Sequence, residues 1–357
     1  MSAIAQYLCG AGKKVSGSDR YFASGHNETR DKLIAAGIDC FLQDGSGITE
    51  KTQLVVVSTA IEDTVPEVQK AKALQIPILK RAEILALIAE SKKTIAVAGT
   101  SGKSTTSAML YHIMEYAGLG PGIISGAGLT SLIKQGKLGN AKVGKSEWLV
   151  IEADESDGSI VLYKPDTGVL LNIDKDHKEL DELNEIFTLF KNNTKRLFSV
   201  NRSHALTKPL SQNVVHDFSA DENIEAGFTA ANFTQEGFQI SFTVNGHPFA
   251  MQLAGKHNME NALAATAIAC QCGVSLIDCA AALQHYEGIY RRHQFIGKHK
   301  GICVIDDYAH NPAKCAASIA ACKPIAPKLI AWFQPHGYGP TRFLRHDFVQ
   351  EIAAVLR

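Results

Sequence analysis

Gly99-Thr100-Ser101-Gly102-Lys103-Ser104-Thr105 carries the most concentrated chemistry in this chain. A short apolar stretch, Thr94–Ala98, runs into it, and a helical pattern runs out of it to Tyr116, where Gly118 and Gly120 stop it. A glycine turn between a strand and a helix aims successive backbone N–H groups at one point, and the helix N-terminus adds its dipole. The segment is therefore a cradle for phosphate. Lys103 would neutralise the β and γ oxygens of a nucleotide, and the Ser104 hydroxyl would ligate Mg2+. That role is electrostatic and fills no core, so loss of Lys103 is expected to abolish phosphate release and spare the fold. Val97 stands where the full phosphate-loop pattern has its first glycine. A glycine turn that merely caps a helix is the alternative.

Two further segments carry side chains that could act on a phosphate. Trp148–Ile151 reads as a buried strand, and Glu152, Asp154, Glu155 and Asp157 follow it within one loop. Gly168–Ile173 reads as another, ending in Asn172-Ile173-Asp174-Lys175-Asp176-His177. Open parallel sheets bind ligands beyond the carboxyl ends of their strands. If these two strands are neighbours, Glu152 and His177 can converge as ligands of Mg2+, with Mn2+ able to substitute. A solvated acidic loop and a packed or capping histidine are the competing readings.

The elements that must position these groups alternate strand-like and helix-like patterns almost throughout, the mark of α/β layers around parallel sheets. Ser2–Leu8 reads as a helix, Lys14–Ser18 as a strand and 28–36 as a helix. Leu54–Ser58 is a strand, Val65–Leu74 a helix, Ile76–Leu79 a strand and Ala82–Glu90 a helix. Ser91-Lys92-Lys93 is a polar break. After the phosphate segment, Phe228–Phe249 alternates like an antiparallel hairpin with Asn245-Gly246 as its turn, and Asn258–Cys270 is an alanine-rich helix. A second boundary falls near Gly288. Beyond it come a strand at Ile302–Ile305, a helix at Pro312–Ala321, a strand at Leu329–Phe333 and a helix at 343–356. A sheet unit that opens on a helix looks clipped, and two strands make a marginal C-terminal unit, so both ends are expected to be incomplete.

Composition narrows the class of protein. The 357 residues are 45% hydrophobic, enough for two or three real cores. Lys+Arg and Asp+Glu are balanced at 36 each, so no broad field favours nucleic acid, and an anion must be held by local groups. The eight cysteines form no CxxC pair and sit in apolar surroundings, as buried thiols do in a reducing compartment. No apolar run reaches membrane-span length, and no leader is recognisable. The expectation is a soluble cytoplasmic protein.

Taken in order, these pieces resemble the Mur ligases, nearest their alanine-adding branch. The resemblance spans the whole chain. It is carried by Val15-Ser16-Gly17-Ser18-Asp19, Val57-Ser58-Thr59-Ala60-Ile61, Lys80-Arg81-Ala82-Glu83, 99–106, Glu152–Asp157, Asn172–His177 and Gly255-Lys256-His257-Asn258-Met259-Glu260-Asn261-Ala262. Arg291-Arg292, Asp306-Asp307-Tyr308-Ala309-His310-Asn311-Pro312 and Phe333-Gln334-Pro335-His336 complete it. It implies three domains: a UDP-sugar-binding Rossmann-like domain (1–91), a central P-loop ATPase domain (92–289) and a C-terminal Rossmann-like domain for the amino acid (290–357). Gly99, Thr100, Ser101, Gly102, Lys103, Ser104 and Thr105 would hold ATP, together with His257, Asn258, Asn261, Arg292 and Asp307. Ser104, Glu152 and His177 would bind the metal, with Glu155 a neighbour, and Lys103, Glu152 and His177 would serve catalysis. Ser18, Asp19, Ser58, Thr59, Ala60 and Ile61 would line the UDP edge.

The implied reaction is ATP-dependent. The lactyl carboxylate of UDP-N-acetylmuramate becomes an acyl phosphate, and a small amino acid or short peptide then attacks it. No nucleic acid or membrane partner is implied. Three departures bear on the amine: Ser101 stands where the alanine-adding branch has histidine, 306–312 reads DDYAHNP rather than DDYGHHP, and Gly337 replaces an arginine after His336. Arg342 or Arg345 could take over that arginine's hold on a carboxylate. The family's first strand and glycine-rich turn are expected before Met1. A ligase that adds a tripeptide to the same UDP-sugar, and an inactive relative that only binds nucleotide, are the rival readings.

Overall fold

The computed structural model describes residues 1–23, 25–175, 178–335, 342 and 344–356. The N-terminal part alternates as its sequence pattern requires: α1 (Ser2–Gly10), β1 (Ser16–Ser18), α2 (Glu28–Ala35), β2 (Asp39–Phe41), β3 (Val55–Val57), α3 (Pro66–Ala73), β4 (Ile78–Lys80) and α4 (Arg81–Glu90). Asn27 caps α2 by accepting from the Arg30 backbone N–H, and Pro66 starts α3 where a missing N–H is harmless. The strands form two separate parallel pairs, β1 with β2 and β3 with β4.

The central part is built on β5 (Lys93–Ala98), α5 (Lys103–Tyr116), β6 (Gly122–Ile124), α6 (Thr130–Ile133), β7 (Ala141–Lys142), β8 (Trp148–Glu152), β9 (Thr167–Leu170), α7 (Leu180–Asn193) and β10 (Leu197–Val200). Six of these strands make one sheet in the order β10-β9-β5-β8-β6-β7, parallel except at the β7 edge. Both faces are covered, so its strands are apolar on both sides. Ile95, Val97 and Val150 enter a core shared with α5. Ala96, Ala98, Leu149 and Ile151 enter a second core against Ile84, Leu85 and Ile88 of α4 and Phe187 and Phe190 of α7. β8 and β9 are not neighbours: β5 lies between them. The premise for bringing Glu152 towards His177 thus changes, and the two loops flank the phosphate segment from opposite sides.

β11 (Phe218–Ser219), β12 (Phe228–Glu236), β13 (Gln239–Val244) and β14 (His247–Met251) form a second sheet, followed by α8 (Lys256–Gln271) and α9 (Leu276–Gln284). The expected hairpin is a three-stranded meander. Asn245 and Gly246 turn between β13 and β14 with φ of 48° and 80°, the paired positive values of a tight hairpin turn. α8 packs on α5, which is buried from Ser104 to Leu110 and is the helix on which the phosphate segment opens.

The C-terminal part holds β15 (Gln294–His299), β16 (Ile302–Asp306), α10 (Pro312–Cys322) and α11 (Arg345–Leu356). Here β15 and β16 pair antiparallel, and β15 was not anticipated. Leu329–Phe333, expected as a strand, forms none. No described strand lies beside it to pair: Ile330 and Trp332 face solvent, 81% and 94% exposed, while Phe333 packs on Phe348 of α11, ring centroids 4.9 Å apart. The part docks on the centre through Gln235 Nε2, which donates to the Ala321 carbonyl at 2.9 Å, and through an edge-on Phe238–Phe295 contact. All eight cysteines are free thiols. Among the described residues no helix is long and apolar enough to cross a membrane.

Candidate active site

The site starts where β5 stops. Ala98 is the last residue of β5 paired with β9, opposite Leu170. The chains stay together one step further, Leu171 N–H donating to the Ala98 carbonyl at 3.0 Å and Thr100 N–H to the Asn172 carbonyl at 3.3 Å. Gly99 sits at φ +133°, and a Cβ there would lie 3.1 Å from both the Asn172 nitrogen and the Leu171 Cβ. Gly102 caps α5 at φ +85°, with Asn261 Oδ1 only 2.4 Å from where a Cβ would be. Each glycine therefore serves backbone conformation and close approach at once. The N–H groups of the first turn of α5 open towards one point, as a phosphate cradle requires.

Lys103 Nζ donates to the Gly99 carbonyl and to Glu155 Oε2, each at 2.7 Å, and lies 3.8 Å from Asp154 Oδ1. Burial alone would lower the ammonium's pKa, but Glu155, Asp154 and Glu152 outweigh it and hold it above the ordinary lysine value. Lys103 is thus charged before any phosphate arrives. Burial pushes the Glu155 carboxyl up against the opposing pull of Lys103. Ser104 Oγ donates to Glu152 Oε2 at 2.9 Å. The other oxygen of Glu152 accepts from Ser125 Oγ at 2.5 Å and Gly126 N–H at 2.7 Å.

Among the described residues no three His, Cys, Asp or Glu side chains gather as a metal site. His177 lies outside them. Ser104 and Glu152 nonetheless present adjoining oxygen donors at the helix N-terminus, and an all-oxygen set is the chemistry Mg2+ selects.

The remaining candidates fall into three groups. Asn261, from α8, accepts from Thr106 Oγ1 at 3.2 Å and backs Gly102, so it touches the phosphate segment. Asn258 is buried and donates instead to the Ala254 carbonyl, at 2.7 Å. His257 is partly buried, and burial followed by the neighbouring His293 pulls its imidazole down to about 4, so it is neutral at physiological pH. Its ring lies 6.2 Å from that of His293, joining the start of α8 to the C-terminal part.

Asp307 braces its own loop, accepting from His293 N–H at 2.8 Å and Ala309 N–H at 2.7 Å. Arg292 lies over the Tyr308 ring, 5.4 Å from its centroid. Arg342 and Arg345 are exposed, while His336 and Gly337 lie outside the described residues. Ser18 ends β1, and Asp19 Oδ1 accepts from Tyr21 N–H at 2.9 Å. Ser58 follows β3 and its carbonyl accepts from Ile61 N–H at 3.2 Å, leaving Thr59 and Ala60 exposed. Both groups occupy carboxyl ends of parallel strands.

Three contributors escaped the sequence reading: Ser125 and Gly126, which hold Glu152, and the Asn172 side chain, which holds the phosphate segment. Ser125 and Gly126 follow β6, next to β8, so the rule about strand carboxyl ends could have found them.

A charged lysine in a glycine cradle, beyond the middle of a parallel sheet covered on both faces, defines a P-loop protein of the α/β class. More narrowly, the chain belongs to the Mur ligase family. The family descriptions "Mur ligase family, catalytic domain", "Mur ligase middle domain" and "Mur ligase, glutamate ligase domain" match residues 1–93, 97–269 and 291–357. It is 33% identical to the UDP-N-acetylmuramate–L-alanine ligase of Gloeobacter violaceus, the alignment covering 98% of this chain and 75% of the relative. With the Bdellovibrio bacteriovorus protein of that name it shares 36% identity over 98% of this chain and 78% of the other. The crystal structure of the Thermotoga maritima UDP-N-acetylmuramate–alanine ligase superposes with a TM-score of 0.82 at 26% identity, over 99% of this chain and 80% of that one.

Proposed function

We propose that the chain is an ATP-dependent, ADP-forming ligase of peptidoglycan precursor synthesis that joins L-alanine to the lactyl carboxylate of UDP-N-acetylmuramate in the cytoplasm. The observation that carries this reading is Lys103, charged and aimed into the glycine cradle beside Ser104 and Glu152. In this reading residues 1–91 hold the UDP-sugar through Ser18, Asp19 and Ser58–Ile61. Residues 92–289 hold ATP through 99–105, His257, Asn258 and Asn261. Residues 290–357 hold the amino acid and reach the nucleotide through Arg292 and Asp307.

A lactyl carboxylate oxygen attacks the γ-phosphorus, the bond to the β–γ bridging oxygen breaks, and ADP departs. Lys103 exchanges Glu155 for the phosphate oxygens and offsets the charge that grows there. The free amine then attacks the acyl-phosphate carbonyl, and the tetrahedral intermediate expels inorganic phosphate as the amine loses its proton. Positioning and electrostatics suffice, so no covalent enzyme nucleophile is required. Ser104 and Glu152, with His177, would hold Mg2+, for which Mn2+ can stand in. Bound there, the ion supplies charge neutralisation on the β and γ oxygens.

The test is phosphate release with UDP-N-acetylmuramate and ATP, comparing L-alanine, glycine, serine and the tripeptide as acceptors. Release that depends on both the UDP-sugar and L-alanine is expected. Release driven by the tripeptide alone assigns the protein to the recycling reaction instead, and no amine-dependent release from a protein that binds ATP refutes the ligase reading.

A further inference from the structure

We infer that Asn172 is a positioning residue for phosphoryl transfer: its side chain sets the shape of the phosphate segment from outside that segment. Its Oδ1 accepts from Ser101 N–H at 2.8 Å and from Thr100 Oγ1 at 2.9 Å, while its Nδ2 donates back to the Ser101 carbonyl at 3.1 Å. The Thr100 hydroxyl in turn accepts from Asp174 N–H at 3.0 Å. The loop after β9 thus continues the β5–β9 pairing with an amide side chain where the backbone ladder has ended.

This divides the segment in two. Thr100 and Ser101 are bonded to the β9 side, Gly99 packs closely against it, and the Ser101 N–H, which a phosphate cradle could have offered to an anion, is already engaged. The anion donors begin at Gly102 and run into α5, with Lys103 Nζ beside them. The clamp fixes where that second half begins, so it fixes how Lys103 and Ser104 meet a triphosphate. It also ties the segment to the loop that runs on through Asp174 towards His177. An amide suits the task because it offers an acceptor and a donor in one plane without placing a charge beside the phosphates.

The inference rests on the nucleotide reading of the site but not on the identity of the amine. Asn172→Ala should weaken ATP binding about thirtyfold, measured directly by calorimetry with a non-hydrolysable ATP analogue and Mg2+, and should raise the KM for ATP in step. The KM values for UDP-N-acetylmuramate and amine should stay within about twofold, a split that general loosening of the fold would not produce. Thr100→Val keeps the side chain's size and shape and removes one arm of the clamp; about a fivefold loss is expected, and it stands in if Asn172→Ala does not fold. In the double variant the losses should fall short of the product of the single ones, since both changes break one network. Wild-type ATP affinity in Asn172→Ala, equal rises in all three KM values, or fully multiplicative losses would each overturn the proposal. Wild-type protein that binds the analogue and releases no phosphate defeats the ligase reading alone.

Discussion

Replacing Lys103 by alanine separates two consequences that the sequence alone merged. The structure buries the lysine with a carboxylate: the side chains of Lys103 and Glu155 are 14% and 4% exposed, and their charged atoms are 2.7 Å apart. Removing one partner of such a pair leaves the other uncompensated, which costs roughly 3–5 kcal/mol. Glu155 can escape part of that cost by taking up a proton, so about 3 kcal/mol is the expected loss at neutral pH. At roughly 2–4 °C per kcal/mol for a unit of this size, the melting temperature should fall by about 6–12 °C. The expectation that Lys103→Ala would spare the fold is revised accordingly.

The pH dependence gives the argument its sign. Burial already holds the Glu155 carboxyl above its ordinary value, and Lys103 is the main group pulling it down. Without Lys103 it rises further. A carboxyl whose folded value is raised binds its proton more tightly when folded, so stability falls as pH climbs from the ordinary glutamate value of about 4.3 to the raised one. The gap between wild type and Lys103→Ala should therefore be narrow near about pH 5 and wide near about pH 8. Glu155→Gln removes the stranded charge, so Lys103→Ala/Glu155→Gln should regain most of the lost stability. Its phosphate release should nonetheless stay down by a factor of about a hundred to a thousand, because the cation at the γ-phosphate is still missing. Melting curves across pH and phosphate release on the three variants decide it. A pH-independent gap would refute the stranded-carboxylate argument, and near-normal turnover in the double variant would refute the phosphate role.

Three further outcomes follow from the same geometry and from the sequence departures. Glu152→Ala and His177→Ala should each raise the Mg2+ concentration for half-maximal activity by about tenfold or more, with Glu155→Ala having the smaller effect; unchanged metal dependence in both would remove them as ligands. Gly102→Ala places a methyl 2.4 Å from Asn261 Oδ1 at φ +85°, so ATP affinity should drop by at least about tenfold. An unchanged affinity would show that the cradle tolerates the side chain. Gly337 lacks the arginine that would grip an amino-acid carboxylate, a contact of about 1.5–3 kcal/mol, so KM for L-alanine should be high and Gly337→Arg should lower it about tenfold or more. Tight use of L-alanine by the unaltered protein would mean another residue already holds that carboxylate.

The strand, glycine turn and helix of the phosphate segment were legible because each signal is local. Thr94–Ala98 was read one residue short of the strand, and the helix was placed to its last residue, Tyr116. Periodicity likewise located α3, α4, α8 and α10 to within two residues at either end. Strand pairing was harder, because it is decided by neighbours distant in the chain. Leu329–Phe333 has the composition of a strand, but composition cannot supply a partner, whereas Gln294–His299 acquires one from β16 across a single turn despite its glycine and lysine.

Sheet order was the most consequential thing hidden in the sequence. Two loops with chemistry in them were recognised, but not that β5 separates the strands that carry them. That insertion gives the phosphate segment two unlike sides. From the β8 side come Glu152, Asp154 and Glu155, which engage the Ser104 hydroxyl and the Lys103 ammonium and so set charge. From the β9 side come Asn172, bonded to the Ser101 backbone and the Thr100 hydroxyl, and Asp174, whose N–H donates to that same hydroxyl, and these set shape. Had β8 and β9 been adjacent, both loops would have met on one side of the segment. Flanked as it is, the segment keeps Lys103 charged from one side while its backbone is held from the other, so neither task constrains the residue types available to the other.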